Sequence, residues 1–165
     1  MFGLLRAVYF KTSTKNDFEW KNNKVNNIAK TENQGVELGL SGEAAGWGYK
    51  LSAIAQDPKN AESGARLARR AKEYGSIGLM RTSLGVEWGA DVIWSGNRTD
   101  SHAVTFASVT NSSNTVVNLT AAKKLSSEWM GRVKVENAFD EKYQLAHGYN
   151  TPPRGVFVTL QYQPK

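Results

Sequence analysis

The sequence predicts an all-β chain, an antiparallel up-and-down transmembrane β-barrel segment of about eight strands. Three observations predict it. Side chains alternate between apolar and polar along each candidate strand, the period that sends neighbours to opposite faces of a sheet. Connections alternate between long and short, over 13–27, 43–46, 57–72, 84–86, 96–114, 124–128 and 138–154. The apolar faces carry aromatic residues at their ends, Trp47, Trp88, Trp94, Trp129 and Tyr162. Long loops on one rim, tight turns on the other and aromatic girdles at both interfaces are what a membrane barrel requires.

The first strand covers Leu4 to Thr12, with Leu5, Ala7 and Tyr9 on one face and Arg6, Val8 and Phe10 on the other. A polar stretch rich in Asn and Lys, Ser13 to Asn27, follows and contains Phe18 and Trp20. The second strand runs from about Ile28 to Gly42, where Val36, Leu38 and Leu40 alternate with Glu37, Gly39 and Ser41. After a turn at Glu43 to Gly46, the third sets Trp47, Tyr49, Leu51, Ala53 and Ala55 against Gly48, Lys50, Ser52, Ile54 and Gln56. The connection from Asp57 to Lys72 is polar. Within it Ala61 to Tyr74 has helix-favouring composition but no apolar stripe, so loop or strand extension is expected over a short basic helix.

The fourth strand spans about Tyr74 to Ser83, its pattern blurred by Gly75 and Gly78. A turn at Leu84 to Val86 leads to the fifth, with Val86, Trp88, Ala90, Val92 and Trp94 against Glu87, Gly89, Asp91, Ile93 and Ser95. A long loop, Gly96 to Asn114, precedes the sixth, Thr115 to Lys123, whose apolar side is Val117, Leu119 and Ala121. Past Leu125 to Glu128 comes the last hairpin. Trp129, Gly131, Val133 and Val135 oppose Met130, Arg132, Lys134 and Glu136; Val156, Val158, Leu160 and Tyr162 oppose Phe157, Thr159, Gln161 and Gln163. The loop joining them, Gln144 to Arg154, is far longer than a hairpin needs.

Alternation alone fits two solvents. In a bilayer the apolar face meets lipid, backbone groups pair strand to strand, and Glu37, Lys50, Glu87, Asp91, Lys134 and Glu136 line a wet interior. In a soluble β-sandwich the apolar face packs inward instead. The rim asymmetry and the thin apolar residues Ala53, Ala55, Ala90 and Ala121 favour the barrel. Two alternatives stay open: a self-contained eight-stranded outer-membrane barrel with an adhesive or structural role, and a soluble β-sandwich binding module. Eight strands make a narrow barrel filled by its own side chains, whereas this inward face is written for a wider, water-filled or plugged lumen.

Composition narrows the function classes. The chain has 165 residues, a net charge of +6 and no cysteine, which excludes disulfides and thiolate metal sites. Its basic residues are spread out apart from Arg66, Arg69, Arg70 and Lys72, with no binding-motif signature, so no nucleic-acid partner is expected. No stretch approaches the roughly 18 apolar residues of a membrane helix. The first residues lack the features of a signal peptide, so an exported protein would need chain before Met1. His102 and His147 read as solvated residues in polar loops far apart, with no Glu or second His at ligand spacing. No nucleophile–base pair or phosphate loop appears. The expectation is a protein that is not an enzyme, with no catalytic residue, metal or cofactor.

Val135 to Tyr143, Val-Glu-Asn-Ala-Phe-Asp-Glu-Lys-Tyr, resembles the N-x-F-D-x-x-Y signature of the penultimate strand of TonB-dependent outer-membrane receptors. Gly148 to Arg154, Gly-Tyr-Asn-Thr-Pro-Pro-Arg, resembles the G-Y-N-T-P-G-R of the vitamin B12 (cobalamin) receptor branch. Asn33 to Glu37 is similar to the family's x-x-G-V-E strand, and Arg69 to Lys72 to its R-R-A-K strand entry. Two departures stand out, Pro153 in place of Gly and Ala138 in place of Leu. The resemblance covers essentially the whole chain, 1–165. It implies the final part of a barrel of about 22 strands, with the plug domain, TonB box and earlier strands absent, and a piece that is not transport-competent alone.

That resemblance further implies a Gram-negative outer-membrane location and a role in active uptake, with cobalamin or another small chelate as ligand. The implied partners are outer-membrane lipid, TonB through the missing N-terminal part, and the barrel-assembly machinery. The chain ends past Tyr162, the apolar-face aromatic that would serve the assembly signal. Arg98, at the top of the fifth strand, falls where cobalamin receptors place a strand-end Arg near the ligand, which makes it the candidate ligand-binding residue. The Asn-x-Ser/Thr triplets at Asn97, Asn111 and Asn118 read as chance.

Overall fold

The computed structural model describes residues 3–21 and 24–164; the side chains of Glu19, Trp20, Lys21, Ile28 and Ala29 lie outside the described residues. The strands are β1 (Gly3–Lys21), β2 (Lys24–Ala44), β3 (Trp47–Gln56), β4 (Lys59–Asn60), β5 (Glu73–Ser83) and β6 (Val86–Ser95), followed by β7 (Arg98–Ser101), β8 (Ser108–Asn111), β9 (Asn114–Lys124), β10 (Trp129–Glu136) and β11 (Gly155–Tyr162). One antiparallel meander holds most of them, in the order β1-β2-β3-β5-β6-β9-β10-β11. β4 attaches to β2, and β7 with β8 forms a separate hairpin.

Two of the tight turns are two-residue loops. Ala45 (φ 52°) with Gly46 (φ 76°), and Leu84 (φ 52°) with Gly85 (φ 71°), place both central residues in the left-handed region. That is the type I′ geometry whose twist matches the flanking strands. It is strained for alanine and leucine, and the adjoining ladders hold it in place.

Register puts the apolar residues on a single face. Leu5, Leu40, Leu51, Ile77, Val92 and Val117 pair in one continuous row across six strands. The next row toward the tight turns is Tyr49, Leu79, Ala90, Leu119, Val135 and Val156. The opposite face carries most of the charges, with ion pairs between Arg6 and Glu37 at 2.9 Å and between Lys134 and Glu136 at 2.6 Å. Gly75, which blurs the pattern of β5, stands opposite Trp94. A Cβ there would collide with the indole and with the Ser52 carbonyl, so the glycine is the seat on which Trp94 lies across its neighbour.

Among the described residues no second layer covers the apolar face. Among the described residues the buried hydrophobic side chains are Ala71, Val116 and Ala122, while Leu79 is 42% and Trp88 51% exposed. An apolar surface this continuous needs another solvent or partner. β3 and β6 have 10 residues each, within the 9–11 of a membrane-crossing strand. Aromatics mark the ends of the band: Trp47, Trp129 and Tyr162 near the tight turns, Tyr9 and Trp94 toward the loops. Trp129 and Tyr162, opposite one another, have ring centres 4.7 Å apart. The sandwich alternative fails on this surface.

Two expectations need correction, and a third is met. The polar stretch 13–27 is not a loop: β1 and β2 continue through it as a ladder of 19- and 21-residue strands. Polar side chains on both faces signal loop in a globular protein, but a hairpin projecting into water keeps its hydrogen bonds whatever its side chains. Within 61–74 the chain runs through turns into β5, as expected, and β4 just before them pairs with Thr31 and Glu32. The connection 96–114 holds the β7–β8 hairpin instead of irregular chain.

Candidate ligand-binding rim

The three long connections meet at one end of the sheet, and Asp100 joins them. Its carboxylate is 2% exposed and lies 2.9 Å from Nε of Arg69 in the 57–72 connection. Its Oδ1 also accepts from the Ser101 amide at 2.8 Å, while Oδ2 accepts from the His147 amide at 2.7 Å and from Asn111 Nδ2 at 3.4 Å. Burial, the largest single influence, pushes its pKa up; the hydrogen bonds from the His147 and Ser101 amides and from Arg69 together outweigh it, leaving the carboxyl below the usual aspartate value. Arg69 reinforces the junction by donating its amide to the Thr99 carbonyl at 2.7 Å. Arg66 bridges to Asn97, from Nη1 to Oδ1 at 3.0 Å.

Arg98, the residue singled out by the sequence, lies on β7 beneath this junction. Its Nη2 donates to Ser95 Oγ at 2.6 Å, at the end of β6, while Nη1 is buried without a partner among the described residues. Burial lowers its pKa, and the nearby Tyr143 opposes that shift. It is half-buried, between the strand end and the last loop.

Asn137, buried and at φ 50°, begins that last loop. Its amide donates to Asn118 Oδ1 at 3.0 Å, its Oδ1 accepts from the Glu141 amide at 2.8 Å, and its Nδ2 donates to the Glu141 carbonyl at 2.9 Å. Asp140 Oδ1 accepts from the Arg154 amide at 2.9 Å, pinning the far end. The Asn and Asp of N-x-F-D are therefore a loop clamp, and Phe139 between them is 79% exposed. Asn137→Ala leaves the part-buried Glu141 amide and carbonyl without this side-chain partner, at about 1–3 kcal/mol. Limited proteolysis should then cut within 141–153 several-fold faster.

Between β8 and the last loop lies a cleft of about 690 Å³, lined by Asn111, Ser113, Lys142, Tyr143, His147 and Asn150 among others. Hydroxyls, amides, Lys142 and the Glu141 carboxylate there suit a polar ligand. His102 and His147 are not far apart as expected: their ring centres are 5.2 Å from each other, because the β7–β8 tip folds toward the last loop. His102 Nδ1 accepts from the Val104 and Thr105 amides, a turn-building role. Among the described residues no group of three metal-binding side chains occurs. Sequence reasoning missed Asp100. The one signal it leaves is an acid among basic loops, which becomes meaningful only when Arg69 is known to face it.

A family model described as TonB dependent receptor-like, beta-barrel, matches residues 2–138. Solved structures similar to the chain include the ferripyoverdine receptor of the outer membrane of Pseudomonas aeruginosa bound to ferripyoverdine, with 18% identity, a TM-score of 0.77, and coverage of 96% of this chain and 24% of that one. The ferric-catecholate import receptor Fiu from K12 E. coli gives 18%, 0.77, 97% and 25%. The FrpB iron transporter from Neisseria meningitidis gives 16%, 0.74, 97% and 29%. The chain thus spans about a quarter of the length of these receptors.

Assignment to the cobalamin branch is overturned. The strong structural likenesses are to iron and siderophore receptors. The motifs that suggested cobalamin prove to be loop chemistry. Gly148 takes φ 84°, and Thr151 Oγ1 donates to the Tyr143 carbonyl at 2.8 Å. In Arg-Arg-Ala-Lys, Arg69 holds Asp100, the Ala71 carbonyl accepts from Gln56 at 2.8 Å, and Lys72 pairs with Asp57 at 3.0 Å. Such contacts build a rim for any cargo.

Proposed function

The chain belongs to the TonB-dependent receptor-like β-barrel family, and from that premise we propose that it forms a run of adjacent strands in the barrel of an importer for a ferric chelate. It is an outer-membrane protein of a Gram-negative bacterium and part of a transport system, not an enzyme. The observation that carries the reading is the one-layer sheet: an exposed apolar band on one side, a charged wall on the other, and a polar cleft at one rim. Its outer strands, β1 and β11, each pair on one side only among the described residues. Further strands on both edges would satisfy those backbone groups and close the barrel. In this reading the chain is the C-terminal part of the receptor, and TonB and the plug act through segments beyond it.

Ferric chelates are favoured as cargo because the similar receptors are described as binding or importing them, and because the cleft offers Lys142, Tyr143 and Asn150 to an oxygen-rich ligand. Arg98, with its free Nη1 near Tyr143, would support that contact from below. The test is chelate binding by the receptor that carries this segment, read by tryptophan quenching against a panel of ferric hydroxamates and ferric catecholates. One chelate should bind at submicromolar concentration, and a Tyr143→Ala, Lys142→Gln variant should weaken it about tenfold. If no ferric chelate binds while an iron-free cargo is taken up, the reading is wrong.

A further inference from the structure

We propose that the outward face holds a seat for one anionic glycerophospholipid at the tight-turn rim: Arg81 and Lys123 receive its phosphate, and an apolar groove beside them takes an acyl chain. Arg81 in β5 and Lys123 in β9 flank β6, and pairing puts both on the apolar face, Arg81 opposite Trp88 and Lys123 opposite Val86. Carboxylates near this rim, Glu43 and Glu87, fall at the opposite alternation and belong to the charged wall. Arg81 and Lys123 are exposed, and neither has an ion pair among the described residues. The Arg81 guanidinium lies 5.3 Å from the centre of the Trp47 ring, which orients it along the surface.

The groove supplies the second half of the seat. It is open, encloses about 470 Å³, and is lined by the small Ala90 and Ala121 and the larger Trp47, Trp88, Leu119 and Val133. Small residues between large ones leave an apolar hollow on the face. Trp47 and Trp129 mark this end of the band as the headgroup level. Cations that merely snorkel to an interface would be content with any lipid. Two uncompensated cations beside an apolar groove instead select a lipid whose whole headgroup carries net negative charge, with no ammonium to neutralise its phosphate. Tight turns face the periplasm in barrels of this class, so the seat lies in the inner leaflet.

Native mass spectrometry of the detergent-purified receptor carrying this segment tests the proposal, with phosphatidylglycerol, phosphatidylethanolamine and lipid A added in turn. One phosphatidylglycerol should be retained about tenfold more tightly than phosphatidylethanolamine. Arg81→Gln with Lys123→Gln should abolish that preference, and Ala121→Leu should weaken both glycerophospholipids while keeping it. Equal retention of the two glycerophospholipids by the unmodified receptor, unchanged preference in the double variant, or tighter retention of lipid A would overturn it. The comparison on the unmodified protein decides the matter even if a variant fails to assemble. Cargo binding does not enter the readout, so this test and that of the ferric-chelate reading succeed or fail separately.

Discussion

Leu79→Arg is expected to destabilise the membrane-embedded receptor by about 2–4 kcal/mol, the depth-dependent cost of a cation on the lipid face of a barrel. Leu79 pairs with Ala90 and Tyr49 in the apolar band and is 42% exposed, uncovered by any described residue. Ser76→Arg, three residues away on the charged wall opposite Ser52 and Ile93, should change stability by less than about 1 kcal/mol. Equilibrium urea unfolding in lipid vesicles measures both. Equal costs at the two positions would mean that the apolar face does not meet hydrocarbon, and the barrel reading would go with it.

Asp100→Ala should loosen the loop rim without unfolding the sheet. The amides of His147 and Ser101 lose a charged acceptor in a buried place, about 2–3 kcal/mol. Hydrogen exchange at the His147 amide should accelerate about a hundredfold, while amides of β6 and β9 keep their protection. The unmodified protein should show a related pH dependence. Because the folded carboxyl titrates below its ordinary value, its contribution is complete above the unfolded value of about 3.9 and fades as pH falls through the folded one. Exchange at His147 that is insensitive to both the substitution and acid would show that Asp100 does not hold the loops.

How much of this was legible depended on whether a signal is local. The strand from Trp129 to Glu136 has the bounds its alternation predicts. Ala45-Gly46 and Leu84-Gly85 fall where tight turns were expected, since a hairpin turn is decided by a few neighbouring residues. The reach of β1 and β2 into 13–27 was not legible, because a strand in water on both faces has no apolar period to betray it. The cargo assignment failed for a different reason. Gly148 and Arg69 are constrained by turn geometry and by Asp100, so their pattern reports the rim's construction and carries no information about what it binds.

By itself the sequence determined the strand period, the turn positions and which face of each strand is apolar, because those follow from neighbours along the chain. Only the tertiary structure decided that the rows of six strands align, that no second layer of described residues covers them, and that Asp100, Arg69 and His147 meet. Those facts rest on groups 31 and 47 residues apart in the chain. Such partners are chosen by register and loop closure, which no local pattern records.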